Sequence, residues 1–287
     1  MYRLYRFLIP LYFTGIRIAG FFRRDARKWV EGRSGWYDTL DRFISSLSGH
    51  SQKRIWIHVS SLGEFEQGRE VLEAIKDGHP EAVVILSFFS PSGYDKRKDY
   101  PLADYVCYFP SDRYSTMQNF IGKLQPDLAL FVKYDFWFNC LHILNQRNIP
   151  FVYFSLALRK NHFLLHPLSH SLLDKLRPAK QLFVQNQQTF DLLNDRGFQN
   201  ISLSGDTRVD RVCRIAEERG VDPLILSFCG SQRIFIGGSV WPQDLDQITP
   251  ALLIALRNGW KLILVPHVPD EKHLSDMEQR FPEGSIR

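Results

Sequence analysis

From residue 54 onward, the sequence alternates short apolar runs with amphipathic stretches of helical length. The stretches Phe65–Lys76, Ser111–Leu124 and Phe136–Arg147 predict helices. The apolar runs predict strands, which are Arg54–Val59, Ala82–Phe88, Tyr105–Phe109, Leu128–Val132, Phe151–Leu156, Gln181–Val184 and Ile201–Leu203. Strands that alternate with helices of about 10 to 15 residues form right-handed βαβ units. The pattern therefore predicts an α/β fold on a parallel sheet that is covered on both faces.

A second, shorter series of the same kind begins near residue 222. It predicts two strands and two helices, which are Arg233–Gly237, Lys261–Val265, Leu245–Arg257 and Asp270–Arg280. Two α/β units do not complete a doubly wound sheet, so we expect the sequence to stop part-way through a second Rossmann-like domain. The expected organisation is an N-terminal anchor segment (1–28), a first Rossmann-like domain (29–215) and the start of a second (222–287).

The first 28 residues combine positive charge with an apolar helical periodicity. They hold seven basic residues and one acidic residue, so the other 259 residues carry a net charge of −1 out of a total of +5. Apolar side chains recur with helical spacing from Leu4 to Ile16, and Pro10 is expected to end or kink the helix. The longest uncharged stretch, Phe7 to Ile16, has ten residues, whereas a membrane span needs about 20. Arg17 interrupts the apolar run, which argues against a signal peptide.

Two interpretations of this segment stay open. One is a helix in the membrane interface, anchored by Tyr2, Phe7, Leu8 and Leu11, with its arginines at anionic head groups. The other is an amphipathic helix packed on the domain. A nucleic-acid-binding protein is not favoured, because such proteins spread their basic residues over a binding face.

The sequence carries no signature of a metal or a cofactor. His162, His166 and His170 have helical spacing, but Pro167 argues against one continuous helix, so no metal site is expected. No P-loop, GxGxxG or GxSxG motif occurs. The four cysteines are far apart in sequence and predict buried thiols in a reducing compartment, the cytoplasm; they are Cys107, Cys140, Cys213 and Cys229.

In open parallel sheets, ligands lie beyond the carboxyl ends of the strands, so the loops that follow the strands are candidate sites. The first is HVSSLGE (58–64), where small residues and Gly63 let the backbone turn tightly and approach a ligand. Glu64 then opens a helix. It is either a general base for an attacking hydroxyl or a favourable anion in a first helical turn.

Two further loops have the same position relative to their strands. SFFSPSG (87–93) offers hydroxyls and a helix start to a sugar or phosphate, or is a Pro-Gly turn with a helix cap. KYDFWFN (133–139) holds a glycolipid with its charges and aromatic rings, or is a surface ion pair above an aromatic core. The acceptor-binding candidates from the three loops are Ser61, Gly63, Ser90, Ser92, Asp135 and Trp137.

Six segments in order resemble motifs of the bacterial 3-deoxy-D-manno-octulosonic acid (Kdo) transferase family. The three loops above are similar to its HSVSVGE-type loop, its T-x-T-P-T-G element and its E-x-E-x-W-P-N segment. The other three are similar to its P-x-D turn, its G-S-x-K-x-D stretch and its P-[RH]-H loop, and are Pro110-Ser111-Asp112, GDTRVDR (205–211) and PHVPDEKH (266–273). The resemblance implies a GT-B fold, with the acceptor site on the first Rossmann-like domain and the donor site mainly on the second.

The resemblance also implies an activity. It is that of a metal-independent, inverting glycosyltransferase without cofactor, which moves Kdo from CMP-Kdo to the lipid A precursor (lipid IVA) in lipopolysaccharide core assembly. Glu64 matches the family's general base, and Arg208 matches a basic residue expected to face the leaving phosphate. Further donor-binding candidates are Gly238, Ser239 and His267. The implied location is the cytoplasmic face of the inner membrane, as a monotopic protein.

The sequence departs from the family pattern at several positions. Lys133 and Asp135 stand where the family has two glutamates, so Asp135 is the acid expected to orient an acceptor hydroxyl or a glucosamine group. Arg159 is a shifted candidate after the fifth strand. The family's GGHN-like nucleotide-gripping segment is expected past residue 287. Two alternatives therefore stay open: a truncated, non-catalytic membrane-associated remnant, and a GT-B enzyme with another nucleotide-sugar donor.

Overall fold

The computed structural model describes residues 1–47, 52–218, 220 and 222–282. The chain divides into two compact units, Met1–Arg214 and Ile215–Arg287, and each is described by itself. The N-terminal segment expected as a separate anchor lies within the first unit.

The first unit is built on a seven-stranded parallel sheet in the order β3-β2-β1-β4-β5-β6-β7. The strands are β1 (Arg54–Val59), β2 (Val83–Phe88), β3 (Tyr105–Tyr108), β4 (Leu128–Val132), β5 (Phe151–Leu156), β6 (Gln181–Val184) and β7 (Ile201–Leu203). Every predicted strand of this series is confirmed to within one residue at each end. The chain order reverses beside β1, because β2 and β3 lie on one side of it and β4 to β7 on the other.

Helices cover both faces of this sheet. They are α1 (Tyr2–Ala19), α2 (Arg24–Glu31), α3 (Trp36–Ser46), α4 (Leu62–Gly78), α5 (Pro91–Arg97), α6 (Tyr114–Leu124), α7 (Phe138–Gln146), α8 (His170–Leu173), α9 (Gln187–Asn194) and α10 (Thr207–Glu218). Side chains of β1 alternate between two cores: Trp56 is buried in one, and Ile57 and Val59 are buried in the other. This alternation buries apolar residues on both faces, as a parallel sheet requires.

Two predicted boundaries are wrong for reasons of local hydrogen bonding. The helix predicted from Phe65 begins at Leu62, because Ser61 caps it. The predicted turn at Pro91-Ser92-Gly93 is the first turn of α5: Ser90 caps this helix, and proline is favoured at a first helical position.

The second unit contains a two-stranded parallel sheet and three helices among its described residues. Its elements are α11 (Pro223–Cys229), β8 (Ile234–Val240), α12 (Pro242–Arg257), β9 (Lys261–Pro266) and α13 (Glu271–Arg280). The two predicted strands and the two predicted helices are confirmed in order. A small core formed by Val240, Leu245, Leu252, Met277 and Phe281 joins the sheet to α12 and α13.

Helix α1 continues through Pro10 to Ala19, so the helix does not end at the proline. Contacts on both sides of the proline hold the helix on the unit. Tyr5 Oη donates to Asp112 Oδ2 over 2.5 Å, and the buried Phe13 ring stacks on Trp29 with 5.5 Å between centroids. Tyr2, predicted as a membrane anchor, lies on this packed side, where its hydroxyl donates to Asn139 Oδ1 over 3.0 Å.

The opposite side of α1 is apolar and exposed. Leu4, Phe7, Leu8, Leu11 and Ile18 are each about half exposed or more, and we call them the outer stripe. Among the described residues, no helix is long and apolar enough to cross a membrane. One helix therefore carries a packed apolar side and an unpacked one.

The two sides predict opposite responses to the same substitution. Phe13→Ala removes a ring that is 1% exposed, and we expect it to lower the free energy of unfolding of the first unit by about 3 kcal/mol or more. Phe7→Ala, on the outer stripe, is the matched control and should change it by less than about 0.5 kcal/mol. Urea denaturation followed by tryptophan fluorescence measures both. Equal effects would contradict the packing of α1.

Candidate active site

The carboxyl ends of β1 and β4 meet where the strand order reverses, which is where ligands bind in open parallel sheets. The loop after β1 carries Glu64, and the loop after β4 carries Asp135. Neighbouring parallel strands end at the same edge, so the topology brings together two carboxylates that are 71 residues apart in sequence. The sequence predicted each of them separately.

Glu64 is tied to the start of α4 by a capping box. Its Oε2 accepts hydrogen bonds from the backbone N–H groups of Ser60 (2.6 Å) and Ser61 (3.1 Å), and Ser61 Oγ accepts one from Glu64 N (3.4 Å). In the part of the chain that the structure describes, both carboxylate bonds go to Oε2 and none to Oε1. The side chain is therefore fixed in place with one oxygen available.

The electrostatic surroundings of Glu64 raise its pKa to about 7. Burial is the main cause, since the residue is only 9% exposed, and the negative charge of Asp135 adds to it. The N–H groups of Ser60 and Ser61 and the charge of Lys133 act in the opposite direction. A carboxyl that exchanges its proton near neutral pH is suited to general acid–base chemistry.

Ser60 joins the two carboxylates. Its backbone N–H donates to Glu64, and its hydroxyl donates to Asp135 Oδ2 in a very short hydrogen bond. Asp135 Oδ2 also lies 3.2 Å from His58 Nε2. We call this group, formed by His58, Ser60, Glu64 and Asp135, the carboxylate cluster.

His58 is fully buried and held by Trp137 and Ser87. Trp137 Nε1 donates to its Nε2 over 3.1 Å, while its Nδ1 lies 3.2 Å from the carbonyl oxygen and 2.9 Å from the hydroxyl of Ser87. Since the indole N–H donates to Nε2, Nδ1 is the nitrogen that donates to the Ser87 carbonyl. In this tautomer Nε2 carries no proton, so His58 lies beside Asp135 without donating a hydrogen bond to it.

Sequence reasoning did not identify His58 or Ser60 as site residues. Their roles depend on neighbours across the sheet: His58 pairs in register with Ser87 of β2, and Asp135 follows β4. The only signal in the sequence is a histidine near the end of a buried strand, directly before the loop that holds Glu64.

Trp137 contacts the carboxylate cluster through its indole N–H, which donates to His58. Its ring packs against Phe89, Phe109 and Phe13, with centroids 4.9, 5.2 and 6.2 Å away. The predicted stacking of this ring on an acceptor sugar stays a prediction.

The loop after β2 lies beside the loop after β1. Ser90 N donates to Ser60 O over 2.8 Å, and the hydroxyls of Ser90 and Ser92 are 2.9 Å apart. A Cβ on Gly93 would lie 2.6 Å from the Phe88 ring, so this glycine permits the close approach of α5. Two serine hydroxyls are thereby held near the carboxylate cluster.

The prediction that Gly63 lets the backbone turn tightly is wrong. It lies within α4 without a positive φ, and an added Cβ would meet only Ser61 Oγ at 4.0 Å. The tight turn is made by the extended N-cap residue Ser61 instead, so Gly63 leaves open space at the start of the helix.

The basic candidates of the first unit differ in their pairing. Arg208 is engaged by Asp206, with Nη2 2.6 Å from Oδ2. Burial alone would raise the pKa of Asp206, but the hydrogen bonds from Arg208 lower it to about 2. Arg159 is exposed after β5, and Lys133 lies close enough to Glu64 to lower its pKa. An anion that binds Arg208 must therefore compete with Asp206.

In the second unit, two of the donor-binding candidates contact each other. Ser239 Oγ lies 2.7 Å from His267 Nδ1, and the His267 ring stacks on Trp241 with centroids 4.0 Å apart. Ser239 has a φ of +59°, next to Gly238 near the carboxyl end of β8. The carboxyl ends of β8 and β9 thus carry an exposed hydroxyl, an exposed imidazole and an exposed aromatic ring.

The described residues hold no group of three or more His, Cys, Asp or Glu side chains arranged to bind a metal ion. Their four cysteines are free, with Cys107 and Cys140 buried, Cys229 partly buried and Cys213 exposed. The prediction of buried thiols is therefore wrong for Cys213, which lies on α10.

Solved structures with the same fold include a UDP-N-acetylglucosamine 2-epimerase, with a TM-score of 0.58 at 14% identity over 81% of this chain and 66% of that one. The Neisseria meningitidis UDP-GlcNAc 2-epimerase also has a TM-score of 0.58, at 12% identity over 80% of this chain and 69% of that chain. At such identities the likeness shows the fold alone. It is the α/β fold with parallel sheets that these epimerases share with GT-B glycosyltransferases, as predicted.

Residues 30–211 match the family described as 3-Deoxy-D-manno-octulosonic-acid transferase (kdotransferase). This match covers more than half of the chain and includes the whole carboxylate cluster, so the chain belongs to that family. The predicted family is therefore confirmed.

Two curated relatives carry the same description. The 3-deoxy-D-manno-octulosonic acid transferase of Haemophilus influenzae is 28% identical over 111 residues, which are 38% of this chain and 26% of the relative. That of Rickettsia prowazekii is 20% identical over 244 residues, which are 79% of this chain and 50% of the relative. The matches thus span half or less of the length of these relatives.

Proposed function

We propose that the protein is a glycosyltransferase of lipopolysaccharide assembly that transfers Kdo from CMP-Kdo to the hydroxyl of a lipid A precursor. The observation that carries this proposal is the buried Glu64 carboxyl, whose pKa is raised to about 7 at the carboxyl edge of the sheet. Membership of the Kdo transferase family supports the donor sugar and the reaction class.

Glu64 is the general base of the proposed reaction. The free Oε1 takes the proton of the acceptor hydroxyl as its oxygen forms a bond to the anomeric carbon of Kdo. The bond from that carbon to the phosphate oxygen of CMP breaks, and its electron pair leaves with CMP. Since only the ionised carboxylate accepts a proton, turnover should rise as the pH increases through about 7. Asp135, held by the Ser60 hydroxyl, orients the acceptor.

Negative charge grows on the leaving CMP phosphate, and the proposal assigns its stabilisation to basic side chains and backbone N–H groups. Arg208 is the candidate in the first unit and must exchange Asp206 for the phosphate. Gly238, Ser239 and His267 are the candidates in the second unit. Attack from the face opposite the leaving group inverts the anomeric carbon, and no metal or cofactor enters this chemistry.

The proposed location is the cytoplasmic face of the inner membrane. The outer stripe of α1, together with Phe21 and Phe22 (78% and 84% exposed), supports insertion into the membrane interface. The acceptor has acyl chains in the bilayer whereas the donor is soluble, so a peripheral, monotopic protein would meet both.

Glu64→Gln tests the proposed base. It keeps the size of the side chain and removes its basicity, so CMP release from CMP-Kdo with the lipid A precursor should fall about 10²- to 10⁴-fold in the full-length protein. Glu66→Gln, on the same helix, is the matched control and should retain near-wild-type turnover. Turnover retained by a folded Glu64→Gln variant would contradict the role of Glu64. Turnover with UDP-sugars in place of CMP-Kdo would contradict the proposed donor.

Substitution of the outer stripe tests the proposed membrane contact. Phe7→Ser combined with Leu11→Ser removes two exposed apolar side chains and leaves Phe13 in the core, so it should weaken binding to anionic liposomes about tenfold or more. Leu224→Ser combined with Leu226→Ser on α11 is the control, since these residues are 74% and 56% exposed. Co-sedimentation in low salt measures the effect, and equal binding by both double variants would rule out insertion through α1.

A further inference from the structure

A cavity of about 270 Å³ lies between α1, α2 and the loop after β3, apart from the carboxylate cluster. Its lining includes Arg17 and Arg33 and the hydroxyl residues Ser34, Ser111 and Thr116. A water molecule takes about 30 Å³ in the liquid, so the cavity has room for a small polyatomic group with part of what carries it. The proposed transfer reaction does not use it.

Among the described residues, the buried Arg33 has no carboxylate partner, and its guanidinium stacks on the Trp29 ring at 3.7 Å. It is 9% exposed, and its guanidinium donates to three backbone carbonyls, those of Trp29 (3.0 Å), Phe89 (2.7 Å) and Phe109 (2.8 Å). Burial lowers its pKa to about 9, and the groups that act against this shift are two tyrosines and a cysteine. Three bonds leave part of its five-donor guanidinium for a ligand in the cavity.

A third arginine, Arg113, lies near Arg17 but outside the lining of the cavity. Arg113 donates to Pro10 O (3.1 Å) and Thr14 Oγ1 (3.0 Å) of α1. Its pKa is lowered by burial and by the positive charge of Arg17, which lines the cavity. Within residues 1–47, 52–218, 220 and 222–282, none of the three arginines forms an ion pair with a carboxylate.

Buried donors around the cavity also lack acceptors. Among the described residues, no acceptor contacts Trp29 Nε1 or Arg113 Nε, although both atoms are buried. Trp29 lines the cavity and is 7% exposed. These two atoms are too buried to contact a ligand in the cavity, so the donors available to such a ligand are those of Arg17 and Arg33. Arginines without acids are paired effectively by a phosphate group. The lining of the cavity therefore offers positive charge and unused guanidinium donors, which a phosphate group would pair.

We propose that this cavity binds the phosphate group of an anionic lipid. Arg17 lies on the helix that also carries the outer stripe, so a phosphate at the membrane surface would be within reach while its acyl chains stay beside Leu11 and Ile18. The lipid as the source of the phosphate rests on the membrane placement proposed above, whereas the phosphate chemistry rests on the cavity alone.

Binding is tested without vesicles and without donor sugar. The probes are monomeric dihexanoyl phosphatidic acid and inorganic phosphate, each followed by ³¹P NMR line broadening on titration with the full-length protein. We expect the short-chain lipid to bind and inorganic phosphate to bind more weakly. Arg17→Gln should weaken lipid binding about tenfold, the loss expected for one charge-assisted hydrogen bond. Arg3→Gln removes the same charge about 21 Å along the same helix and should have little effect.

Ser111→Asp supplies a second variant, because it places a carboxylate beside the arginines, and it should abolish binding while circular dichroism stays unchanged. Wild-type binding by both Arg17→Gln and Ser111→Asp would overturn the site. Equal affinity for inorganic phosphate would overturn the assignment to a lipid. Neither vesicles nor CMP-Kdo are present in this experiment. A negative result here therefore does not affect the outcomes of the liposome and turnover experiments. Failure of those experiments would likewise leave phosphate binding by the cavity unaffected.

Discussion

The organisation of the site depends on the way α4 begins. The N–H groups of Ser60 and Ser61 hold Glu64 Oε2, and this arrangement both caps the helix and fixes a carboxyl at the edge of the sheet. From the sequence, a helix-capping anion and a general base were alternatives. The structure makes them compatible, because the capping bonds use one oxygen and leave the other.

Burial and a neighbouring carboxylate then set the chemistry of Glu64. An acid with an ordinary pKa would be fully ionised at neutral pH and a weak base, whereas burial and Asp135 hold the pKa of Glu64 near 7. The same shift has a cost for folding. Because the folded-state pKa is raised, Glu64 favours the folded state below its ordinary pKa, and that stabilisation is lost as the pH rises through about 7. Function and stability therefore make opposite demands on this group.

The strands were predictable because buried parallel strands are nearly continuous apolar runs, as in Leu128–Val132. The strand-end rule also located the loops of Glu64 and Asp135. The sequence could not predict the side-chain hydrogen bonds between neighbouring strands and their loops. They place His58 against Ser87, connect Ser60 to Asp135 and give Ser61 its capping position.

The N-terminal helix was also only partly predictable from the sequence. Its periodicity predicted one apolar side, and the sequence left open whether that side contacts lipid or protein. The structure contains both kinds of surface, with Phe13 packed on Trp29 and Leu11 exposed on the other side. Spacing alone could not separate them, since aromatic and aliphatic residues surround most of the helix and the arginines occupy a narrow remainder.

The central claim, that Glu64 titrates near neutral pH, is tested most directly by ¹³C NMR on protein labelled at the glutamate carboxyl carbon. This label leaves aspartates such as Asp112 silent, and loss of the signal in Glu64→Gln assigns it. We predict a titration midpoint near pH 7 in the wild type. It should move lower in Asp135→Asn, because a negative charge is removed. A midpoint near 4.5, the ordinary value for glutamate, would contradict the account.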